Sequence, residues 1–392
     1  MINRQNILKK LTVLSKEFPV IALLGPRQVG KTTLVKQFTD TLKKDVIHLD
    51  MERAADRNQL ADPELFFAAH RDAVVVIDEV QLMPVLFSVL RPEVDNLRKN
   101  GRFILTGSAS PDLVKGVSES LAGRIAFIDL HPISLTEAAP ADIPMSKHWF
   151  RGGFPLALTA KSNDSFTRWS ENFVRSYVER DLSMLFGTGI SPQLARNFWN
   201  MLAISNGNVW NAEAMSRSLG VSGPTVSRYL DFMEGAFLLR KLPAWFINAK
   251  KRLVKAPKVY IRDSGILHFL THVNDMRSLA KNPVVGASWE GYVIEEICKA
   301  LPYSVKPYYY RTHHGAEVDL VLVRGVEPLA CIEIKYGLSP KVKEGFYNCI
   351  ADLDTKHNYI IYPGTDVYKN SPDSEIVPLD IFLAKKLKYI TG

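Results

Sequence analysis

The chain has 392 residues, 46% of them hydrophobic, and carries a formal net charge of +8 at pH 7. At about 100–200 residues per domain, this length predicts two to four domains, and the ordinary apolar content gives each of them a core. The sequence has no run of 18 apolar residues, and its first residues lack the pattern of a secretory signal. These features exclude a membrane-spanning helix and lead us to expect a cytoplasmic protein.

The basic charge agrees with a polyanionic partner such as nucleic acid, although many soluble proteins are mildly basic. The cysteines Cys298, Cys331 and Cys349 do not have metal-ligand spacing. We expect them to be buried thiols in a reducing compartment. Bulk properties therefore make nucleic acid a candidate partner without establishing it.

Residues 1–130 alternate short apolar runs with helical patterns. Continuous apolar runs separated by helices indicate a buried parallel sheet, so the predicted fold class is α/β. The strand candidates are PVIALL (19–24), VIHLD (46–50), AVVVID (73–78), RFILTG (102–107) and RIAFIDL (124–130).

The segment GPRQVGKT (25–32) matches G-x-x-x-x-G-K-[ST], follows an apolar strand and opens a helix, as a P-loop must. Gly25 and Gly30 let the backbone turn its N–H groups towards phosphate, and the helix N-terminus favours negative charge. Lys31 is expected to contact the β- and γ-phosphates of ATP, and Thr32 to bind Mg²⁺. The expected nucleotide-binding residues of the loop are Gly25, Pro26, Arg27, Gln28, Val29, Gly30, Lys31, Thr32 and Thr33.

Two of these residues have further interpretations. Arg27 could touch phosphate or a neighbouring subunit, and Thr33 is expected to pack or to cap the helix.

The segment AVVVIDEV (73–80) supplies the second half of the site. Asp78 is expected to hold Mg²⁺, and Glu79 to orient and activate the attacking water. The alternative is a simple turn or helix cap at the strand end.

The segment ILTGSAS (104–110) ends a third strand in small polar residues, where Thr106 or Ser108 could bond the γ-phosphate or the attacking water. This place resembles the sensor-1 position of AAA+ ATPases, and ordinary turn residues are the alternative. Arg124 is a candidate for stabilising transition-state charge, either in its own chain or in a neighbouring subunit. The latter role predicts a homo-oligomer, whereas the alternative is a surface arginine.

Residues 131–190 lose the strand pattern, and FTRWSENFVRSYVERDLSML predicts a long amphipathic helix in a helical lid, with Phe173, Tyr177 and Leu182 near helical spacing. The following region, 191–272, holds a helix-turn-helix pattern from 211 to 242 and then a possible wing strand. Its expected core residues are Ala214, Leu219, Val221, Val226 and Leu230.

The caps of this predicted winged helix are Asn211, Gly220 and Ser222. Thr225, Ser227, Arg228 and the basic run 248–258 could meet DNA phosphates. The alternative is a winged helix that packs against protein.

Residues 273–392 are predicted to form another α/β domain. Asp319 lies on one strand, and Glu333 and Lys335 lie two apart on the next, so they share a face. Asp319 and Glu333 can bind one Mg²⁺, while Lys335 can orient water or stabilise charge on phosphorus.

The preceding helix places Glu290 on its apolar face and Glu295 on the face expected to meet water. The order of Glu290, Asp319, Glu333 and Lys335 resembles the PD-(D/E)xK nuclease core, especially that of archaeal Holliday-junction resolvases. The alternatives are a chance charge pattern and a nuclease fold that binds DNA without cutting it. Further candidates for phosphate contact, with the two histidines more simply explained as an exposed loop, are Tyr310, Arg311, His313 and His314.

The chain as a whole resembles a bacterial and archaeal family whose members join an AAA+ ATPase domain to a C-terminal domain of unknown function. The resembling segments are LLGPRQVGKTTL, VVVIDEV, ILTGSAS, LAGR, YVERDL, GVSGPTVSRYL, VYIRDSGIL, WEGYVIEE, YYYRTHHGAEVDLVL and IEIKYG, spread over residues 23–337. One departure is YIRDSGIL, where the family usually has Asp-Thr-Gly. The resemblance implies ATP binding, the lid, the winged helix and the nuclease-like end.

Together these patterns predict an ATPase that remodels DNA, translocates along it or processes branched DNA, with ATP and Mg²⁺ as cofactors. The expected partner is DNA, with branched or single-stranded DNA as candidates. Two alternatives remain open: a metal-dependent nuclease that ATP licenses, and an NTP-driven signalling switch whose end domain binds a protein. The predicted domains are 1–130, 131–190, 191–272 and 273–392.

Overall fold

The computed structural model describes residues 2–110, 121–176, 191–246 and 253–392, which belong to two compact units. The described part of the first unit comprises residues 2–110, 121–133 and 229–238. The described part of the second comprises 134–176, 191–228, 239–246 and 253–392.

The first unit contains a five-stranded parallel sheet with the order β2-β3-β4-β1-β5. All five strands predicted from apolar runs are present, which confirms the α/β fold class. Their bounds are Val20–Leu24 (β1), Val46–Asp50 (β2), Val74–Asp78 (β3), Phe103–Gly107 (β4) and Ile125–Asp129 (β5).

Side chains from this sheet are buried on both of its faces, because strand residues alternate in direction. In β1, Val20 and Ala22 belong to one apolar cluster, whereas Ile21 and Leu23 belong to the other. Helices α1 and α2 cover the second face, and α4 and α5 cover the first. The helices of this unit are Gln5–Glu17 (α1), Lys31–Thr39 (α2), Ala54–Gln59 (α3), Pro63–Ala69 (α4) and Leu86–Asn96 (α5).

The second unit begins with helices and contains two sheets. The helices are Leu135–Ala138 (α6), Met145–Arg151 (α7), Pro155–Leu158 (α8), Asn163–Phe173 (α9), Pro192–Ile204 (α10), Ala212–Leu219 (α11), Gly223–Gly235 (α12, which includes residues of both units), Ser264–Leu270 (α13), Met276–Lys281 (α14), Val285–Ala300 (α15), Glu344–Leu353 (α16), Leu379–Ile381 (α17) and Leu387–Thr391 (α18).

The smaller sheet pairs two antiparallel strands, and the larger one has the order β12-β13-β11-β10-β9-β8. Strands β8, β9 and β10 form an antiparallel meander, and α16 connects β10 to its parallel neighbour β11. The strands are Leu239–Leu242 (β6), Lys258–Ile261 (β7), Val305–Arg311 (β8), Glu317–Arg324 (β9), Glu327–Ile334 (β10), His357–Tyr362 (β11), Tyr368–Ser371 (β12) and Ser374–Pro378 (β13).

The predicted caps of α11 and α12 are confirmed. Asn211 accepts a hydrogen bond from the backbone N–H of Ala214, Gly220 is left-handed with φ 67°, and Ser222 accepts from the N–H of Thr225 at 3.3 Å. The prediction that Ala214 is a core residue is wrong, because the helix turns Met215 inward and leaves Ala214 exposed. Of the other expected core residues, Val226 and Leu230 are buried, whereas Leu219 and Val221 are half-buried.

Two predicted features fall partly outside the described residues. The long lid helix is described only as far as residue 176, so Tyr177 and Leu182 lie beyond it, and residues 248–252 of the basic run also lie outside. Cys331 and Cys349 are buried as predicted, and Cys298 is half-buried. Across the described ranges, no helix is both long enough and apolar enough to span a bilayer.

The central position of β4 gives a test of this architecture. Leu105 is fully buried between the helices, so Leu105→Ala should cost about 2–5 kcal/mol of unfolding free energy. The exposed Leu65 on α4 is the matched control, and Leu65→Ala should cost about 0.5 kcal/mol or less. Urea denaturation followed by circular dichroism measures both, and equal midpoints would contradict the assigned core.

Candidate functional site

Parallel register brings the ends of three strands together at one edge of the first-unit sheet. Leu24 of β1 pairs with Gly107 of β4, and Ile77 of β3 pairs with Leu105 of β4. The carboxyl ends of neighbouring parallel strands lie side by side, which is where α/β sheets bind ligands. The P-loop, the Asp-Glu pair and the small polar residues after β4 therefore meet at this edge.

The P-loop backbone has the turns that a phosphate cradle requires. Gln28 and Gly30 both have positive φ, at 62° and 95°, and α2 starts at the next residue, Lys31. Successive turns of this kind direct backbone N–H groups into one concavity. Gly25 cannot be replaced without a shift, because a Cβ there would lie 2.2 Å from the carbonyl oxygen of Leu130.

Lys31 is buried at the centre of this edge. Its ammonium donates hydrogen bonds to the carbonyl oxygens of Gly25 and Pro26, at 2.9 and 3.1 Å, and to Ser108 Oγ at 2.9 Å. Burial lowers the pKa of Lys31, while the charges of Glu79 and Asp78 oppose that effect. The lysine is therefore held against the loop that would surround a nucleotide.

The two carboxylates at the end of β3 each have hydroxyl donors. Thr32 Oγ1 donates to Asp78 Oδ2 at 2.6 Å, and the buried hydroxyl of Thr106 also donates to Asp78. Ser108 Oγ donates to Glu79 Oε1 at 3.0 Å. Of the two alternatives after β4, Thr106 contacts Asp78, whereas Ser108 bridges Lys31 and Glu79.

Sequence reasoning missed Gln81, whose amide donates to Glu79 Oε2 at 2.5 Å. The backbone of Glu79 is left-handed, with φ 51°, a conformation that non-glycine residues rarely adopt and that often marks functional sites. The sharp turn at Glu79 allows Gln81, only two residues later, to reach back to the carboxylate. This contact has no motif in the sequence, because it depends on the turn.

The residues at this edge fit ATP and Mg²⁺. Thr32 Oγ1 and Asp78 Oδ2 are oxygen ligands of the type that Mg²⁺ prefers. The start of α2 and the ammonium of Lys31 provide the positive charge that phosphates need.

Three residues predicted to serve the nucleotide site are exposed or form ion pairs elsewhere. Arg27 forms an ion pair with Glu52. Thr33 is exposed, so of its two expected roles packing is wrong and capping stays a prediction. Arg124 precedes β5 and pairs with Asp95 at 2.6 Å. A five-residue strand is roughly 17 Å long, so Arg124 lies at the wrong edge to reach a nucleotide bound to its own chain. Its role in a neighbouring chain, and hence the homo-oligomer, stay predictions.

The second unit contains a cavity of about 540 Å³ that Glu290, Asp319, Glu333 and Lys335 all line. Ile332 of β10 pairs with Leu320 of β9, which places Glu333 beside Asp319. The N–H of Ile334 donates to Asp319 Oδ2 at 2.8 Å, and Lys335 Nζ donates to Glu333 Oε1 at 2.5 Å.

Lys258 of β7 ends the basic run that was expected to meet DNA phosphates, but it is buried among these acids, so that expectation is wrong for this residue. Its ammonium is 3.1 Å from Glu290, 2.7 Å from Glu317 and 3.7 Å from Asp319. Within the described residues, no three His, Cys, Asp or Glu side chains converge as a metal site requires. Lys258 thus pairs with Glu290 and lies near Asp319, two of the three residues of the predicted Mg²⁺ site, and that site stays a prediction.

Burial and neighbouring charges shift the pKa values of the ionisable side chains in this pocket. Burial raises the pKa of Glu333 to about 8, with a further contribution from Asp319, and it raises the pKa of Glu290 to about 6. Burial acts to lower the pKa of Lys258, but Glu290, Asp319 and Glu317 outweigh it and raise that pKa. Lys258 therefore remains a fixed positive charge.

The helix preceding β8 requires a correction. Glu295 was expected to face water, but it is 2% exposed and pairs with Arg240 and with Arg262, the latter at 3.2 Å. The arginines come from β6 and from the residue after β7, so the helical pattern alone could not reveal them. Their charges hold the pKa of Glu295 far below its ordinary value despite burial, which acts in the opposite direction.

The residues around β8 also differ in their surroundings. Tyr310 is buried, and its hydroxyl donates to Asp352 at 3.2 Å, so it is not placed to contact a phosphate. Arg311 lines the cavity and lies 3.5 Å from Glu317. His313 and His314 are exposed, as expected for a loop.

Comparison with known proteins supports the first unit most directly. A family model described as an AAA domain matches residues 17–139. Two further models, each described as a domain of unknown function, match residues 144–277 and 285–382.

An uncharacterized protein of Mycobacterium tuberculosis is 37% identical over 384 residues, covering 98% of this chain and 85% of the relative. An uncharacterized protein of Haemophilus influenzae is 27% identical over 297 residues, covering 68% and 72%. Among solved structures, the Walker-type ATPase of Pyrococcus abyssi aligns with a TM-score of 0.47 and 15% identity, covering 69% of this chain and 96% of that one.

Glu333 gives a pH test of the second-unit pocket. Because its folded pKa is raised to about 8, its stabilising contribution is complete below the ordinary value near 4.5 and is lost as pH rises through 8. Glu333→Gln keeps a neutral side chain, so its melting temperature should fall less between pH 5 and pH 9 than that of the parent. Melting curves across this range test the effect, with the exposed Glu213→Gln as control. Parallel curves for all three proteins would contradict the assignment.

Proposed function

The chain belongs to the family of AAA-domain proteins that includes the mycobacterial relative, and on that premise we propose that it is a Mg²⁺-dependent ATPase that acts on DNA. The observation that carries the ATPase part is the hydrogen-bonded array at the edge of the first-unit sheet. Lys31, Ser108 and Glu79 form one chain of contacts, and Thr32 and Asp78 form another.

Each member of the array has a chemical role in this proposal. Lys31 neutralises charge on the β- and γ-phosphates, and Thr32 and Asp78 hold Mg²⁺. Glu79 takes the proton of the attacking water, with Ser108 and Gln81 fixing the carboxylate in position. Because Ser108 contacts both Lys31 and Glu79, it couples the phosphate end of the site to the water end.

Replacement of Glu79 separates binding from hydrolysis. Glu79→Gln should lower the rate of phosphate release by about 10²–10⁴-fold, because an amide cannot accept the proton. Binding of a fluorescent ATP analogue should remain within about threefold of the parent, since the contacts at the other carboxylate are kept. Glu64→Gln, on the exposed face of α4, is the matched control and should hydrolyse at the parental rate. Undiminished turnover in Glu79→Gln would remove Glu79 from the mechanism.

The proposal that the protein acts on DNA rests on the basic net charge of the chain and on the helices and strands between α11 and β7. The chain is basic, and α11, a glycine turn and α12 follow one another as a helix-turn-helix requires. Arg228 on α12 is exposed, and Thr225 and Ser227 are half-buried on the same helix. Strands β6 and β7 pair in antiparallel fashion, as the wing of a winged helix would.

The end domain is proposed to bind DNA as a nuclease-like module. Its helix α15 and strands β9 and β10 bring Glu290, Asp319, Glu333 and Lys335 to one cavity, in the order that suggested a nuclease. The position of Lys258 favours binding over cutting, because it occupies the space that a metal would need. This favours the alternative of a nuclease fold that binds DNA without cutting it.

ATP hydrolysis in the presence of DNA tests this part. With Mg²⁺ at low salt, at least one of single-stranded, duplex and four-way-junction DNA should stimulate the parent. Arg228→Ala should weaken DNA binding and reduce the salt dependence by about one phosphate contact. The exposed Arg168→Ala on α9 is the charge-matched control. Steady hydrolysis with no response to any DNA would instead support the signalling switch.

A further inference from the structure

Lys258 is the most enclosed cation of the second unit's acidic cavity. The residue is 4% exposed, and its ammonium lies within 4 Å of Glu290, Glu317 and Asp319. The hydroxyl of Tyr260, two residues along β7, donates to the same oxygen of Glu290 at 2.6 Å. Glu290 thus has two donors from one strand.

A divalent ion would compete for the same oxygen atoms. Mg²⁺ binds carboxylate oxygens at about 2.0–2.1 Å, so an ion shared by Glu290 and Asp319 would lie only a few ångströms from the ammonium. At an effective dielectric constant of about 20, a divalent cation 4 Å from the lysine ammonium is repelled roughly twice as strongly as a monovalent cation at the same distance. The lysine and a metal ion would therefore compete for these carboxylates.

The charge balance of the whole cavity supports this conclusion. Four lysine or arginine side chains and five acidic side chains line it, so the lining carries a net charge of −1 when all are ionised. Metal-binding carboxylates normally have excess negative charge for the ion to neutralise. Here most of that charge is already neutralised from within the chain.

We propose that Lys258 is a resident cation that takes the place of a metal ion, so the nuclease-like domain binds no divalent metal and cuts no DNA by a metal-dependent route. The inference rests on the proposed nuclease-like nature of the end domain. It deepens that proposal by stating that the cavity binds no divalent ion while Lys258 is present, and that removal of this one ammonium creates a metal site.

Direct measurement of Mn²⁺ binding to the full chain tests the inference. All proteins carry Asp78→Asn, which removes the metal ligand of the first-unit site, and no nucleotide is added. Free Mn²⁺ is followed by electron paramagnetic resonance. The protein with Lys258 should show no Mn²⁺ binding that depends on Asp319, so adding Asp319→Asn should change nothing.

Lys258→Met should create the missing site. It should bind one Mn²⁺ per chain, at least about tenfold more tightly than the parent, and Asp319→Asn should abolish this binding. Its melting temperature should fall without metal, because three carboxylates lose their counter-ion, and should rise on adding Mn²⁺. Lys343→Met, an exposed lysine that lines the same cavity, is the matched control and should acquire no site.

The outcomes separate this inference from the proposed function. The inference would be overturned if the protein that retains Lys258 bound Mn²⁺ and Asp319→Asn abolished this binding. That test holds even if Lys258→Met failed to fold. A folded Lys258→Met protein that binds no Mn²⁺ would overturn it as well. DNA-stimulated ATP hydrolysis is measured separately, and its absence would remove the DNA proposal while leaving the metal result unchanged.

Discussion

The first-unit site depends on one carboxylate, that of Asp78, and on the two hydroxyls that hold it. Thr32 comes from the helix after the P-loop and Thr106 from β4, and both donate to Asp78 at the end of β3. These bonds tie the loop to two strands that only the parallel register brings together. Both donors are neutral hydroxyls, and the carboxylate oxygens they hold are ligands of the type that a hard cation prefers.

In the second unit, the buried carboxylates pair with lysine and arginine side chains instead of hydroxyl groups. Lys258 forms ion pairs with Glu290, Glu317 and Asp319, and Arg240 and Arg262 form ion pairs with the buried Glu295. Buried acids of this kind are costly unless they are paired, so the cations are part of what allows α15 to pack. The cations come from β6, β7 and the residue after β7, which makes this small sheet an electrostatic complement of the helix.

The sequence predicted best what is local in the chain. The five strands are contiguous apolar runs, and the P-loop residues and the caps at Asn211 and Ser222 lie within a few positions of their partners. Contacts between distant segments were missed or misjudged. Lys258 is 32 residues from Glu290 and 61 from Asp319 in the chain, and Glu295 appeared exposed only because its arginine partners were unknown. Helical periodicity gives a side-chain direction, but it does not identify what lies there.

The contrast between the two carboxylate sites bears on where chemistry can occur. In the first unit, the acids at the strand ends contact hydroxyls and an amide, and the buried Lys31 beside them also contacts the carbonyl oxygens of the P-loop. A phosphate group can replace those neutral carbonyl acceptors with anionic oxygens, which an ammonium binds more strongly. In the second unit, the principal cation is already bound to three carboxylates, and a ligand would have to break those ion pairs first. In the proposed function, turnover therefore belongs to the AAA domain and DNA recognition to the end domain.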